Sequence, residues 1–354
     1  MARFTITQPD DWHLHLRDGS QLVSVISHSA RQFARAIVMP NLKPPITTVA
    51  AALAYHRRIQ QALPVGAAFQ PLMTLYLTET TPLAEVEKAA NNPHIHAFKL
   101  YPAGATTNSD EGVGSLERIY PLLEALQKHD VPLLIHGEAT NRHIDIFDRE
   151  KVFIEKELDP IVRSFPNLRV VLEHATTTDA VHFVRKSGPL VAATLTAHHL
   201  LYNRNALLVG GIRPHFYCLP VLKRESHRLA LIEAATSGET QFFLGTDSAP
   251  HPQSQKEASC GCAGCYTAHA AIELYAEVFD AENKLDNLEK FASFNGPDFY
   301  RLPRNTGSVT LEKMNWKVPA NYPFGEGHLI PLRAGETIAW RMVDLGSDSD
   351  VEMR

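Results

Sequence analysis

The sequence predicts an α/β fold, a TIM (β/α)8 barrel with a short C-terminal extension packed on it. Two observations carry this prediction. Eight short β-type runs alternate with segments whose apolar residues recur every three or four positions, and each of these segments is long enough to join two parallel strands. The alternation also extends over about 250 residues, the usual length of such a barrel. A doubly wound sheet of eight strands is the structural alternative.

The predicted elements follow one another in a regular order. Strands are predicted at residues 12–16, 36–39, 69–77, 97–101, 133–136, 170–173, 191–195 and 242–245. Helices are predicted between them at 47–62, 83–90, 116–129, 152–164, 178–186 and 223–236. Two further helices, near 267–278 and 285–292, precede a proline-rich tail from Trp316. We expect one domain over residues 1–354, with 300–354 as the extension.

Composition excludes several classes of partner. The 354 residues include 34 Lys and Arg against 39 Asp and Glu, a net charge of −5, which gives no basic surface for nucleic acid or an anionic membrane. Apolar runs stay well below the roughly 18 residues that span a bilayer. The N-terminus lacks the apolar core of a signal peptide, and the four cysteines do not form a secreted disulfide pattern. We therefore expect a cytoplasmic protein that binds neither nucleic acid nor membranes.

Polar side chains cluster at the predicted strand ends, where active sites of (β/α)8 barrels lie. His13 and His15 project from one face of the first strand because side chains alternate along a strand. Taken singly, such residues have ordinary explanations: an exposed edge, a backbone hydrogen bond, or a turn. Together, four histidines and a carboxylate at one rim match the ligands that zinc prefers. The predicted metal ligands are His13, His15, His136, His174 and Asp247.

Lys99 lies in an apolar strand, where an unpaired ammonium group is costly to bury. A lysine whose amino group reaches solvent is the ordinary alternative. Nearby metal ions and burial would both favour the neutral amine. A neutral amine can add carbon dioxide, and the resulting carbamate is an oxygen ligand that can bridge two metal ions. The sequence therefore predicts Lys99 as a carboxylated metal ligand.

The set His13-x-His15, Lys99, His136, His174 and Asp247 resembles the binuclear metal site of the amidohydrolase superfamily. Within it, the segments 9–19, 39–42, 98–108 and 245–251 resemble the short bacterial (class II) type of the dihydroorotase family. The resemblance covers nearly the whole chain. It implies the reversible cyclisation of N-carbamoyl-L-aspartate to dihydroorotate plus water, the third step of de novo pyrimidine biosynthesis. It also implies a homodimer with two zinc ions per subunit, bridged by carboxylated Lys99 and hydroxide.

The resemblance further implies a role for each site residue. His13, His15 and Asp247 would bind one zinc ion and His136 and His174 the other, with Asp247 as the general acid and base. Arg17 follows His15 by two positions, and its guanidinium group suits the substrate carboxylate. The other residues implied to bind substrate are Asn41 and His251 through their side chains and Leu219 and Ala263 through the backbone, with Thr106 and Thr107 in a lid loop that could equally be an ordinary surface loop.

Two alternative functions stay open at this point. The first is another cyclic-amide hydrolase of the hydantoinase or allantoinase type. The start of the His-x-His motif at residue 13 leaves no room for the preceding β-domain of hydantoinase-like relatives, and Arg17 with Asn41 also disfavours this reading. The second is a catalytically inactive barrel that serves as a binding scaffold, which the intact set of metal ligands disfavours.

The cysteine loop allows two interpretations. Cys260, Cys262 and Cys265, together with Cys218 if the fold brings it near, could form a structural zinc or cluster site, and Cys262 and Cys265 have the familiar Cys-x-x-Cys spacing. The spacing between Cys260 and Cys262 is too tight to be typical. Because Gly261 and Gly264 let the backbone approach a ligand closely, we favour a loop that contacts substrate through main-chain groups.

Overall fold

Eight parallel strands form one sheet in chain order in the computed structural model, which describes residues 2–259 and 261–343. They are β2 (Asp10–Leu14), β3 (Arg35–Val38), β4 (Gln70–Leu77), β5 (Ile95–Leu100), β6 (Leu133–His136), β7 (Val170–Glu173), β8 (Val191–Leu195) and β9 (Phe242–Leu244). The first strand, β1 (Arg3–Thr7), lies outside this sheet. All eight predicted strands are present, and the (β/α)8 prediction is confirmed over the doubly wound alternative.

Backbone contacts beyond the last strand close the barrel. The Asp247 N–H donates to the carbonyl of His13 at 2.9 Å, and the His15 N–H donates to the carbonyl of Ser248 at 3.2 Å. Strand β2 ends at Leu14, so His15 follows this strand instead of lying within it. The segment that joins the two edges of the sheet is therefore the one that carries three of the predicted metal ligands.

Thirteen α-helices lie among the described residues. They are α1 (Gly19–Gln32), α2 (Val49–Ala62), α3 (Leu83–Ala90), α4 (Tyr120–Lys128), α5 (Arg149–Phe153), α6 (Asp159–Ser164), α7 (Thr178–Lys186), α8 (Ala197–Leu201), α9 (Asn205–Leu208), α10 (Glu225–Thr236), α11 (Gln253–Lys256), α12 (Ala271–Ala281) and α13 (Asn295–Tyr300). Short 3₁₀ segments occur at Leu116–Ile119, Pro214–Phe216 and Leu285–Asn287, and π-helical turns at Ile154–Leu158 and Lys290–Phe294. None of these helices is long and apolar enough to cross a membrane.

The barrel interior has an apolar layer with a polar layer above it. The apolar layer takes one residue from each strand: Trp12, Ile37, Leu72, Ala97, Leu134, Val171, Ala192 and Phe243. Tyr300 of α13 stacks on Trp12, with ring centroids 4.4 Å apart. Two positions further along four of the strands stand Lys99, His136, Glu173 and Thr194, on the same face because side chains alternate. The polar residues therefore meet at the C-terminal end of the barrel.

A second sheet joins the two ends of the described chain. Strand β1 pairs antiparallel with β10 (Ser308–Lys317), which pairs with β13 (Thr337–Val343). A two-stranded hairpin of β11 (Tyr322–Phe324) and β12 (Gly327–Leu329) lies between them. The segment from Trp316, predicted as a proline-rich tail, contains the end of β10 and strands β11, β12 and β13 among its described residues. The helices expected at 267–278 and 285–292 are shifted or interrupted: the first is α12, and the second is a 3₁₀ turn followed by a π turn.

Candidate metal centre and substrate pocket

The three predicted ligands nearest the barrel seam form a compact donor set. Asp247 Oδ1 lies 3.1 Å from His15 Nε2 and 3.3 Å from His13 Nε2, and the two imidazole nitrogens are 3.3 Å apart. All three side chains are buried. A carboxylate oxygen and two imidazole nitrogens at these separations could hold one metal ion.

The other three predicted ligands lie beside this set. The His174 ring is 5.1 Å from that of His13 and 4.7 Å from that of His136, measured between centroids. Lys99 Nζ and His174 Nδ1 are buried and have no hydrogen-bond partner within the described residues. Buried polar atoms rarely lack a partner, so these two atoms fit a site that binds a metal ion. The structure thus brings all six predicted ligands together.

Burial dominates the electrostatics of these residues. It lowers the pKa of Lys99 to about 8, although Glu173 and Asp247 attract the ammonium group. It also lowers the pKa of His15 to about 4, and with His136 nearby it holds that of His174 well below its usual range. Burial opposes the charged form of Asp247, but the adjacent His13 and His15 hold the pKa of this carboxyl well below its usual value.

Three side chains orient the histidines. The sequence assigned one of them, Asn41, to substrate binding, and it did not indicate Glu138 or Glu173. His15 Nδ1 donates to Asn41 Oδ1 at 2.9 Å, which turns the lone pair of Nε2 toward Asp247. Glu173 accepts from His13 Nδ1, and Glu138 Oε2 lies 2.8 Å from His136 Nε2. Such partners fix the tautomer and orientation of metal-binding histidines. Glu173 could have been found from its place at the end of a buried strand, two positions beyond Val171.

Asp11 holds the segment that carries Asp247 in position through hydrogen bonds. Its carboxylate accepts from the Thr246 backbone N–H at 2.8 Å, the Thr246 hydroxyl at 2.6 Å and the His13 N–H at 3.1 Å. Asp247 and His174 both adopt positive φ, 45° and 42°, a conformation that non-glycine residues rarely take. Strain of this kind concentrates where side chains must be aimed at a functional site.

The predicted carboxylate-binding residues adjoin the metal ligands. Arg17 Nε donates to the carbonyl of Pro250 at 2.9 Å, and Arg17 Nη2 lies 2.9 Å from His251 Nε2. His251 Nε2 is also 3.0 Å from the Ala263 carbonyl. Burial and the Arg17 charge lower the pKa of His251 to about 2, so this imidazole is neutral. Arg17 is then the cation of this part of the site.

The predicted lid loop lies over the metal ligands. Asn41 Nδ2 donates to the Thr107 carbonyl at 3.2 Å, and Asn108 Nδ2 donates to the Asn41 carbonyl at 3.0 Å. The enclosed cavity has a volume of about 20 Å³, room for about one water molecule. It is lined by His13, His15, Arg17, Asn41, Tyr101, Thr106, Thr107, His136, His174, Leu219, Asp247, Ala249, Ala263 and Gly264. These loop contacts cover a cavity lined by both the predicted metal ligands and the predicted substrate-binding residues.

The cysteine loop divides into two parts. Cys262 is partly exposed, and its Sγ lies 3.7 Å from Gln255 Oε1. Cys218 and Cys265 are buried and lie beside His198, a residue the sequence did not indicate. Cys260 lies outside the described residues. The Cys-x-x-Cys spacing therefore does not correspond to a shared site, since Cys262 and Cys265 have different neighbours.

Comparisons with known proteins identify the family to which this chain belongs. A model described as the amidohydrolase family matches residues 8–323. The dihydroorotase of Methylobacillus flagellatus is 63% identical over 340 residues, 96% of this chain and 99% of that protein. The dihydroorotase of Cupriavidus taiwanensis is also 63% identical, over 339 residues, 96% of this chain and 98% of that protein. The chain therefore belongs to the amidohydrolase family.

Comparison with solved structures indicates which group within the amidohydrolase family this chain resembles. The Campylobacter jejuni dihydroorotase has a TM-score of 0.89 at 35% identity, covering 97% of this chain and 98% of that one. A Saccharomyces cerevisiae dihydroorotase in complex with 5-fluoroorotic acid has a TM-score of 0.90 at 32% identity, covering 97% and 99%. An L-hydantoinase from Arthrobacter aurescens, at 16% identity and a TM-score of 0.80 over 96% of this chain and 82% of that one, shares the fold alone. Within the amidohydrolase family, the chain groups with the dihydroorotases.

Proposed function

We propose that this chain catalyses the reversible cyclisation of N-carbamoyl-L-aspartate to dihydroorotate plus water, within de novo pyrimidine biosynthesis. One observation carries the proposal: six potential metal ligands meet at the C-terminal end of the barrel, with a guanidinium group beside them. The relatives at 63% identity, which are named dihydroorotases, support the same activity.

The residues fit two zinc ions with a carboxylated lysine. His13, His15 and Asp247 would hold one ion, and His136 and His174 the other. Lys99 would contribute a carbamate oxygen as a further ligand, and its carboxylation would remove the unpaired ammonium group that burial disfavours. Bound zinc supplies Lewis acidity and lowers the pKa of water from 15.7 to about 7.

Asp247 is suited to carry the proton of the reaction. Its carboxylate is ionised, because His13 and His15 keep its pKa low, and it faces the cavity. In the hydrolytic direction, Asp247 would accept the proton from the attacking water and pass it to the departing amide nitrogen. In the cyclisation direction, the same carboxylate moves the proton back. Lower pH favours cyclisation, because loss of water requires a protonated substrate carboxyl group.

The remaining residues would bind and enclose the substrate. Arg17 would pair with the substrate carboxylate, because a guanidinium group can donate two parallel hydrogen bonds to it. Asn41 and His251 would add donors, and the backbones of Leu219 and Ala263 would contact the ring amide. Thr106 and Thr107 would exclude water once the loop has closed. Asn41 would exchange its bond to the Thr107 carbonyl for one to substrate.

The direct test compares ring opening of dihydroorotate with that of hydantoin and allantoin, using purified protein loaded with zinc. We expect turnover of dihydroorotate in both directions. Faster turnover of hydantoin or allantoin would favour the alternative cyclic-amide hydrolases. Absence of turnover on all three, with zinc bound, would favour an inactive scaffold.

We propose three further properties of the chain, each with its own test. A homodimer follows from the family resemblance and is tested by light scattering after size exclusion. A single domain over residues 1–354, with 300–354 as its extension, is supported by the pairing of β1 with β10 and is tested by limited proteolysis. A cytoplasmic location is supported by the free thiols of Cys218, Cys262 and Cys265 and is tested by fractionation.

A further inference from the structure

Three buried side chains outside the metal centre form a second donor cluster. His198 of α8, Cys218 and Cys265 each place a ligand atom within 4.8 Å of the other two. None of the three is more than 1% exposed. Both ring nitrogens of His198 lack a hydrogen-bond partner within the described residues. An imidazole buried in this way is unfavourable, because its ring nitrogens lose their hydrogen bonds to water and gain none in the protein.

We propose that His198, Cys218 and Cys265 bind a third metal ion, Zn²⁺ or another thiophilic divalent cation. Two thiolates and one imidazole are the ligands that zinc prefers, and the mutual separations allow all three to reach one ion. The site shares no ligand with the proposed binuclear centre, and it does not depend on the proposed activity. A tetrahedral ion held by three side chains keeps one position for water or a small ligand.

The hydrogen bonds around the thiols are compatible with metal binding. Cys218 Sγ donates to the Pro220 carbonyl at 3.2 Å, and Cys265 Sγ donates to the His215 carbonyl at 3.4 Å. Binding of one divalent ion converts both thiols to thiolates and releases two protons to solvent. The Pro220 carbonyl stays paired afterwards, because it also accepts from His199 Nε2 at 2.9 Å.

A buried lysine favours the thiolate form. Lys256 Nζ donates to the carbonyls of Tyr217, Cys262 and Gly264 at 2.7 to 2.8 Å. The hydrogen bond between the two thiols lowers the pKa of Cys265 and raises that of Cys218 well above its usual value, burial raises both, and the Lys256 charge lowers both. The same ammonium group therefore ties the two cysteine-bearing segments together and stabilises negative charge between them.

The position of the cluster gives the metal a structural effect on the active site. Cys218 directly precedes Leu219, and Cys265 follows Gly264, and both Leu219 and Gly264 line the substrate cavity. One ion bound by both cysteines would hold these two walls in a fixed relation. Loss of the ion should then raise the KM for substrate more than it lowers kcat.

The test is a titration of reduced, metal-free protein with Co²⁺, followed by near-ultraviolet absorption from thiolate-to-cobalt charge transfer. The proposed binuclear centre has only nitrogen and oxygen ligands, so this band reports the cysteine site. Cys262→Ser is the matched control, because Cys262 belongs to the same loop but lies outside the cluster. We expect the band in wild type and Cys262→Ser, its loss in Cys218→Ser and Cys265→Ser, and at least about tenfold weaker Co²⁺ binding in His198→Gln.

Two results would overturn the proposal. One is a wild-type protein without a thiolate band at saturating Co²⁺, and the other is a band unchanged in folded Cys218→Ser and Cys265→Ser. If the serine variants do not fold, the wild-type protein still decides the question. Zn²⁺ added to an enzyme whose binuclear centre is already filled should be retained after desalting as one further equivalent per chain in wild type and Cys262→Ser, measured by elemental analysis.

Discussion

Replacing Lys99 with methionine is expected to stabilise the metal-free protein at neutral pH. Lys99 Nζ lies inside the barrel with no hydrogen-bond acceptor among the described residues. Burial lowers the pKa of this lysine from 10.5 to about 8, against the attraction of Glu173 and Asp247. Methionine fills a similar volume without a charge, so the substitution removes the ammonium group and leaves little empty space.

The size and the pH range of the effect follow from the pKa of Lys99. Below pH 8 both folded and unfolded chains carry the ammonium group, and the folded state bears the full cost of burying it. Between pH 8 and 10.5 the folded chain loses its proton first, so stability rises with pH, and above 10.5 the cost is gone. The difference between pKa values of 10.5 and about 8, at about 1.4 kcal/mol for each tenfold change, corresponds to about 3 kcal/mol.

Urea unfolding of the metal-stripped proteins at pH 7 and pH 10.5 measures this difference. We expect Lys99→Met to be more stable than wild type by about 3 kcal/mol at pH 7 and by less than about 0.5 kcal/mol at pH 10.5. Lys256→Met is the control: Lys256 is also buried but donates to three carbonyls, so its loss should destabilise the protein. A Lys99→Met variant that is less stable at pH 7, or equally shifted at both pH values, would refute the reasoning.

Three further substitutions test the barrel, the substrate pocket and the metal centre. Gly296→Ala should cost about 3 kcal/mol in urea unfolding, because the added Cβ would lie 1.9 Å from Trp12 Nε1 inside the packed barrel. Arg17→Lys should raise the KM for dihydroorotate at least about tenfold in steady-state assays, because the planar guanidinium group is lost. Glu173→Gln should weaken zinc binding about 10- to 100-fold in competition with a chelator, since Glu173 orients His13.

The barrel could be predicted because its signal is local. Each strand is short, apolar and followed by a segment of helical period, so eight runs could be located without knowing their partners. Strand β1 gives no such signal: Phe4 lies opposite Leu311, more than 300 positions away. A helix was predicted at 152–164, but its interruption by a π turn was not. The apolar residues keep a spacing of three to four positions across this turn, so the sequence pattern does not reveal it.

The metal ligands could be predicted for a related reason. Parallel strands bring their C-terminal ends to one rim, so a residue's place in its own strand is enough to locate it. The residues that hydrogen-bond to those ligands could not be predicted in this way. Glu173 acts on His13 across 160 positions, and Asn41 Oδ1 accepts a hydrogen bond from His15 Nδ1, although the sequence assigned Asn41 to substrate binding alone. Such roles depend on which side chains meet, and strand order alone does not specify that.

The two buried lysines show where the limit lies. Lys99 could be recognised from sequence because its apolar strand requires burial, and an ammonium group buried there implies a use. Lys256 stands in the polar stretch Ser254-Gln255-Lys256-Glu257, which by itself predicts exposure. It is buried because the distant segment at Tyr217 and the nearby loop at Cys262 and Gly264 fold over it and supply three carbonyl acceptors. The cost of burial therefore identifies a functional residue from sequence only when the residue's own element forces it inside. When loops bury a residue, as they bury Lys256, its burial and its role can be recognised only from the folded structure.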